Sequence, residues 1–181
     1  AAEPGRSSFL LIECNGYAPV RTARLSRFQQ KNEGADLEVL LNFDESIYDV
    51  CLHPKFAESG YLYLGANGRF GEGRHDFNSR VLRYTLDRES GRIDPTSRQV
   101  IIEWQSNGHN GAALTFGLDG MLFVTSGDDK TGTRIVQCLK ASRERKRPEF
   151  LWQREYPGPV SGKHADNSYA SATPAVDERQ L

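Results

Sequence analysis

Three segments of this chain share one order of features: an apolar strand, a small-polar loop, and a strand led by arginine. The first runs Phe9-Leu-Leu-Ile-Glu-Cys-Asn-Gly16 and is followed by Arg24-Leu-Ser-Arg-Phe28. The second runs Tyr61-Leu-Tyr-Leu-Gly-Ala-Asn-Gly68 and is followed by Arg80-Val-Leu-Arg-Tyr84. The third runs Met121-Leu-Phe-Val-Thr-Ser-Gly-Asp128 and is followed by Arg134-Ile-Val-Gln-Cys138. The arginine-led strands recur at intervals of roughly 55 residues, in or just beyond the range of propeller and solenoid repeats. Each is followed by a polar turn and a further apolar strand: Leu37–Leu41, Val100–Trp104 and Phe150–Gln153. One more short strand, Ile47–Leu52 or Ala112–Phe116, precedes the second and third copies.

Four antiparallel strands per unit, joined by hairpins and repeated in tandem, are the blades of a β-propeller. The turn at Leu118-Asp119-Gly120 is a strong local hairpin signal, because Asp-Gly stands between two apolar runs. No segment shows a helical period long enough to bury a face, Glu144–Arg147 included. A β-sandwich also has short strands and turn signals, but not this matched repeat. The expected class is therefore all-β, with blade-like units at about 9–41, 47–104 and 112–153 and a further unit opening at 169–181. Together they form a single partial β-propeller domain over 1–181, about three blades where closed propellers need four to eight.

Composition narrows the function. Lys and Arg total 23 against 24 for Asp and Glu, a net charge of −1. This argues against a nucleic-acid surface or an electrostatic membrane anchor. Phe9–Ile12 is far too short to span a bilayer. The three cysteines, Cys14, Cys51 and Cys138, show no Cys-x-x-Cys pair, so they read as small buried hydrophobes rather than metal ligands. The sole methionine is Met121, which marks the chain as a processed form or a fragment.

Two passages carry a family resemblance. Ile47-Tyr-Asp-Val-Cys-Leu-His-Pro-Lys-Phe-Ala-Glu-Ser-Gly-Tyr-Leu-Tyr63 resembles the blade opening of the soluble glucose/sorbosone dehydrogenases, the quinoprotein aldose dehydrogenases. Gly108-His-Asn-Gly-Ala-Ala-Leu-Thr-Phe-Gly-Leu-Asp-Gly-Met-Leu-Phe-Val-Thr-Ser-Gly-Asp128 resembles that family's segment bearing the catalytic histidine. The likeness covers roughly residues 8–132. It implies a six-bladed propeller that uses pyrroloquinoline quinone (PQQ) and Ca2+ to oxidise sugars or related alcohols. Electrons then pass to an acceptor such as a cytochrome or quinone, and the protein is exported to the periplasm or secreted. By the same resemblance His109 is the catalytic base, taking the hydroxyl proton while hydride leaves for the quinone. Asn110 and Asp129 fall at cofactor-binding positions, and no metal ligand is assigned. Gly108 stands where characterised glucose dehydrogenases carry an acidic residue, and Asp129 where a glutamine helps hold the quinone. The last third, through Phe150–Gly158 and Ser168–Asp177, instead resembles quinoprotein-alcohol-dehydrogenase-like propeller repeats. These departures leave open an alternative, a non-catalytic propeller acting as a binding scaffold.

The remaining motifs have local readings. His53, before Pro54, ends a strand and bonds locally. Asn15-Gly16 and Asn67-Gly68 read as turns. His75 and Asp76 lie in a Gly-rich connector, His164 and Asp166 in a polar loop, and Arg143–Arg147 at a hairpin tip. Asp128 and Asp129 lack the spacing of a self-contained calcium loop and read as turn-stabilising.

Overall fold

The computed structural model describes residues 1–15, 22–31, 34–71, 77–106, 112–128, 131–140 and 148–158. Eleven strands lie among them: β1 (Ser8–Asn15), β2 (Thr22–Lys31), β3 (Gly34–Phe43), β4 (Ser46–Leu52), β5 (Tyr61–Arg69), β6 (Phe77–Leu86), β7 (Ile93–Gln105), β8 (Ala113–Phe116), β9 (Met121–Asp128), β10 (Thr133–Lys140) and β11 (Glu149–Tyr156). They pair antiparallel, each with its neighbour in sequence, into three sheets: β1-β2-β3, β4-β5-β6-β7 and β8-β9-β10-β11. These are blades of a β-propeller, and the class expected from the repeat holds. A single helical turn, α1 (Phe56–Ser59), interrupts the pattern after Pro54. No helix among the described residues is long and apolar enough to cross a membrane.

The middle sheet is covered on both sides, which is why β5 is apolar almost throughout. Successive side chains of a strand point to opposite faces. Leu62, Leu64 and Ala66 therefore join Leu82 and Tyr84 in packing against Leu10, Leu25 and Phe43 of the first sheet. Tyr63, on the other face, joins Val81 and Ile101 in packing against Leu114, Leu122, Val124 and Leu139 of the third. Each fully buried leucine contributes about 1.5–3 kcal/mol relative to exposure, so the two inter-sheet cores dominate stability. Edge strand β11, by contrast, is exposed along its whole length.

Polar contacts set the sheets against each other at one end. Arg27 Nε donates to Glu3 at 2.6 Å, and its other nitrogens reach Glu38 at 2.7 Å and the Gly91 carbonyl of the β6–β7 turn at 2.9 Å. The hairpin read at Leu118–Gly120 is present. Gly120 N donates to Gly117 O, Met121 N to Asp119 Oδ1, and Gly120 takes φ +79° where a side chain would be strained.

Three expectations need correction. Asn67-Gly68 is not a turn: both residues lie inside β5 and pair across to β6, because the strand runs on beneath the first polar residue. Of the cysteines, Cys138 is buried and Cys51 half-buried, but Cys14 is exposed, its thiol donating to Ile47 O of β4 at 2.8 Å. Finally, Asp128 is the last residue of a paired strand rather than part of the loop after it. His53 behaves as read: its Nδ1 accepts from Lys55 N at 3.1 Å, and its ring lies among Tyr61, Tyr63 and Phe116. Burial pushes the Cys51 thiol up to about 11, with Asp49 adding to the effect, so it stays protonated at neutral pH.

Candidate functional site

The residues singled out for chemistry, His109, Asn110 and Asp129, lie outside the described residues, as do Gly108, His75, Asp76, His164 and Asp166. What the structure defines is the frame from which the 107–111 connection leaves and to which it returns. That connection joins the end of β7 to the start of β8. Its departure point, Ser106, is buried, and so is its return point, Ala112.

Both points are held by β5. Asn67 sits on the face of β5 that it shares with Tyr63 and Gly65, and it is fully buried. Its amide nitrogen donates to Ser106 Oγ at 2.7 Å and to Ser79 Oγ at 3.2 Å. Ser106 N donates in turn to Phe77 O at 3.0 Å, so the chain is fixed by backbone and side chain just before the connection begins. Ser46, Asn67 and Ser79 are cross-strand neighbours, and with Ser106 they form a layer of small buried polar groups under the rim of the second sheet. A buried polar group is tolerated when its bonds are satisfied inside the protein, and Asn67, Ser79 and Ser106 are bonded to one another.

The return is held by shape and charge. A β-carbon on Gly65 would lie 1.8 Å from the carbonyl oxygen of Ala112, so the chain entering β8 lies directly on the β5 backbone. Asp49 on β4 then grips the first turns of β8. Its Oδ2 accepts from Leu114 N at 2.8 Å while Oδ1 accepts from Val50 N at 2.8 Å. A β-bulge between Ile47 and Asp49 leaves Tyr48 unpaired and exposed, and re-aims the strand at this point.

Ser106 and Ala112, the described residues on either side of 107–111, are thus both fixed against β5. The strand ends carrying the 72–76 and 129–130 connections are the ends of β5 and β9, on the same rim. No group of three or more His, Cys, Asp or Glu residues able to hold a metal occurs among the described residues. A quinone site on this frame would rest on residues 107–111 and 129.

Sequence reading passed over Asn67, Ser79, Ser106 and Asp49. Asn67 was visible only as half of an Asn-Gly turn signal. The cue that separates the two cases is the apolar run that continues unbroken from Tyr61 to Ala66 into it.

Comparison with known proteins adds a family. The profile of the Glucose / Sorbosone dehydrogenase family matches residues 8–144. Hedgehog-interacting proteins of Mus musculus and Homo sapiens are each 26% identical over 136 residues, covering 68% of this chain and 19% of their own length. The chain therefore spans about a fifth of these curated relatives. Two solved glucose dehydrogenase structures are also similar. One has a TM-score of 0.47 at 23% identity, covering 64% of this chain and 37% of its own. The other has a TM-score of 0.49 at 20% identity, covering 69% and 42%.

Proposed function

Because the chain belongs to the glucose/sorbosone dehydrogenase family, we propose that it supplies blades of a quinone-dependent dehydrogenase that oxidises a sugar or related alcohol. The observation that carries this reading is the frame around residues 107–111, with Asn67 and Ser106 at one root and Gly65, Asp49 and Leu114 at the other. His109, held on such a frame, removes the proton of the substrate hydroxyl, a task for a base with pKa near neutrality. PQQ, when bound with Ca2+, would supply the hydride acceptor. Asn110 and Asp129 would position it, and reoxidation would draw on an external cytochrome or quinone. The reading carries with it a periplasmic or secreted location.

A second reading is favoured by a specific observation: the curated relatives, 26% identical over 136 residues, are named for an interaction, with Hedgehog, and not for a reaction. In that case the propeller is a binding scaffold, its rim connections contact a protein partner, and Gly108 and Asp129 mark positions where a dehydrogenase site has been given up.

One experiment separates them. The longest natural protein containing this chain is loaded with PQQ and Ca2+ and assayed for dye reduction with aldoses, beside its His109→Ala variant. The dehydrogenase reading expects turnover that falls at least a hundredfold on substitution, the upper part of the range for loss of a general base. Absence of turnover together with absence of stoichiometric quinone uptake would establish the scaffold reading instead.

A further inference from the structure

We propose that the outer faces of the first and third sheets are the two halves of one interface, and that a second copy of this chain joins them head to tail, closing six sheets into a ring. The inference is independent of what the rim binds or transforms. It starts from the middle sheet, which meets the first sheet with one face and the third with the other. A blade thus uses one face for the sheet before it and the opposite face for the sheet after it. Among the described residues, the first sheet has no sheet before it and the third has none after it.

Both free faces are apolar, as the covered ones are. On the first sheet Leu10, Ile12 and Leu25 turn toward the middle sheet, so the alternate residues Phe9 and Leu11 turn outward. Phe28 pairs with Phe9, and Leu37 and Val39 pair with Phe28 and Ser26, so they share that outer face. Phe9, Leu11, Leu37 and Val39 are 52%, 44%, 48% and 45% exposed. On the third sheet Leu114, Leu122 and Val124 turn toward the middle sheet. Phe123, Cys138 and Trp152, paired in a row across β9, β10 and β11, turn outward. The rings of Phe123 and Trp152 stand 5.8 Å apart, and Cys138 between them is buried, while Trp152 remains 38% exposed.

The first sheet is also one strand short. β4 and β8 open the other two sheets by pairing with β5 and β9, and the chain reaches each from the last strand of the sheet before. In that position β1 has only Ala1–Glu3, bonded along Ser8–Leu10. No described strand pairs with Leu11–Asn15 on the side away from β2. An open edge is a template for another chain, so the first sheet is unfinished on the face and on the edge where a preceding sheet belongs. Two first-sheet faces placed together would join two surfaces of the same kind, a pairing found at neither inter-sheet core. The third sheet of a second copy offers the opposite kind, the one that both cores use. Each copy carries one face of each kind, so two copies form both contacts at once and leave none over. Six sheets fall within the four to eight of closed propellers, and two-fold closure is the commonest symmetry of oligomers.

The test is sedimentation velocity on the 181-residue chain and on two variants whose changes all fall at exposed positions. One carries Leu11→Lys with Val39→Lys on the first sheet, the other Trp152→Glu with Arg154→Glu on the third. The unaltered chain is expected to pass from monomer to dimer with rising concentration and to stop there. Each variant alone is expected to dimerise at least tenfold more weakly. An equimolar mixture is expected to regain the dimer, because each variant keeps the face that the other has lost and the lysines then meet glutamates. Circular dichroism checks that the sheets remain; should either pair unfold its chain, Leu37→Lys or Arg154→Glu alone takes its place. A chain that is monomeric at every concentration overturns the proposal and leaves both faces to sheets of a longer chain or to another protein. Growth beyond two copies, a variant that dimerises as the unaltered chain does, or a mixture that stays monomeric overturns it equally.

Discussion

Asn67 is a buried amide that donates to two hydroxyls, those of Ser79 and Ser106. Removing it leaves both hydroxyls short of a donor in a site without solvent. Asn67→Ala is therefore expected to lose about 2 kcal/mol of unfolding free energy, the cost of stranding buried polar groups, measured by urea denaturation. Glu3 offers a pH-dependent counterpart. Burial alone would raise its carboxyl, but hydrogen bonds from Arg27 and Ser8 and the charges of Arg27 and Arg6 outweigh burial and hold it below the ordinary 4.5. A carboxyl lowered on folding stabilises the protein above its unfolded pKa, and that stability is lost as pH falls through the folded value. Stability measured from pH 7 down to pH 3 should therefore drop below about pH 4.5, and Glu3→Gln should flatten part of that fall. The same variant leaves Arg27 with Glu38 as its one carboxylate and with the Gly91 carbonyl, and at neutral pH it should cost about 3 kcal/mol, as for breaking a buried ion pair.

At the scale of elements, the sequence repeat conveys strand order but not register. Arg24, Arg80 and Arg134 lead corresponding strands, yet they pair with Glu13, Ala66 and Gly127. Those partners stand four, five and six residues beyond Phe9, Tyr61 and Met121, the first residues of the matched apolar runs. A shift of one residue turns a side chain to the other face of its sheet. The three arginines accordingly meet different surroundings: Arg24 pairs with Glu13 at 2.7 Å, and Arg80 lies 3.5 Å from Glu45. Packing of the sheets also decides where glycine is obligatory. Gly65→Ala drives a methyl into the Ala112 carbonyl, a backbone atom that cannot swing aside. It is expected to cost about 3 kcal/mol, the upper part of the range for overpacking, and to shift backbone amide resonances of both β5 and β8.

At the scale of the whole molecule, the middle sheet is packed on both faces while the outer sheets are packed on one. Phe9, Leu11, Leu37 and Val39 share the outer face of the first sheet and are all exposed. No described residue covers them. A contiguous apolar face of this kind drives association, so the isolated chain is expected to self-associate with rising concentration in sedimentation velocity. Leu11→Lys combined with Val39→Lys should shift it toward monomer. An unchanged distribution would count against this face as the contact.

Local alternation, turn chemistry and matched motifs specify the all-β class, the order and approximate extent of the strands, the Asp119-Gly120 hairpin and the family. Only the tertiary structure decided that Asn67 lies within a strand and pins Ser106, that Asp49 reaches across to Leu114, and that Glu45 stands loosely between Arg80 and Arg98. Those contacts join residues 39, 65, 35 and 53 positions apart. They depend on register and on which face of a sheet meets its neighbour, and neither is encoded in a local run of residues.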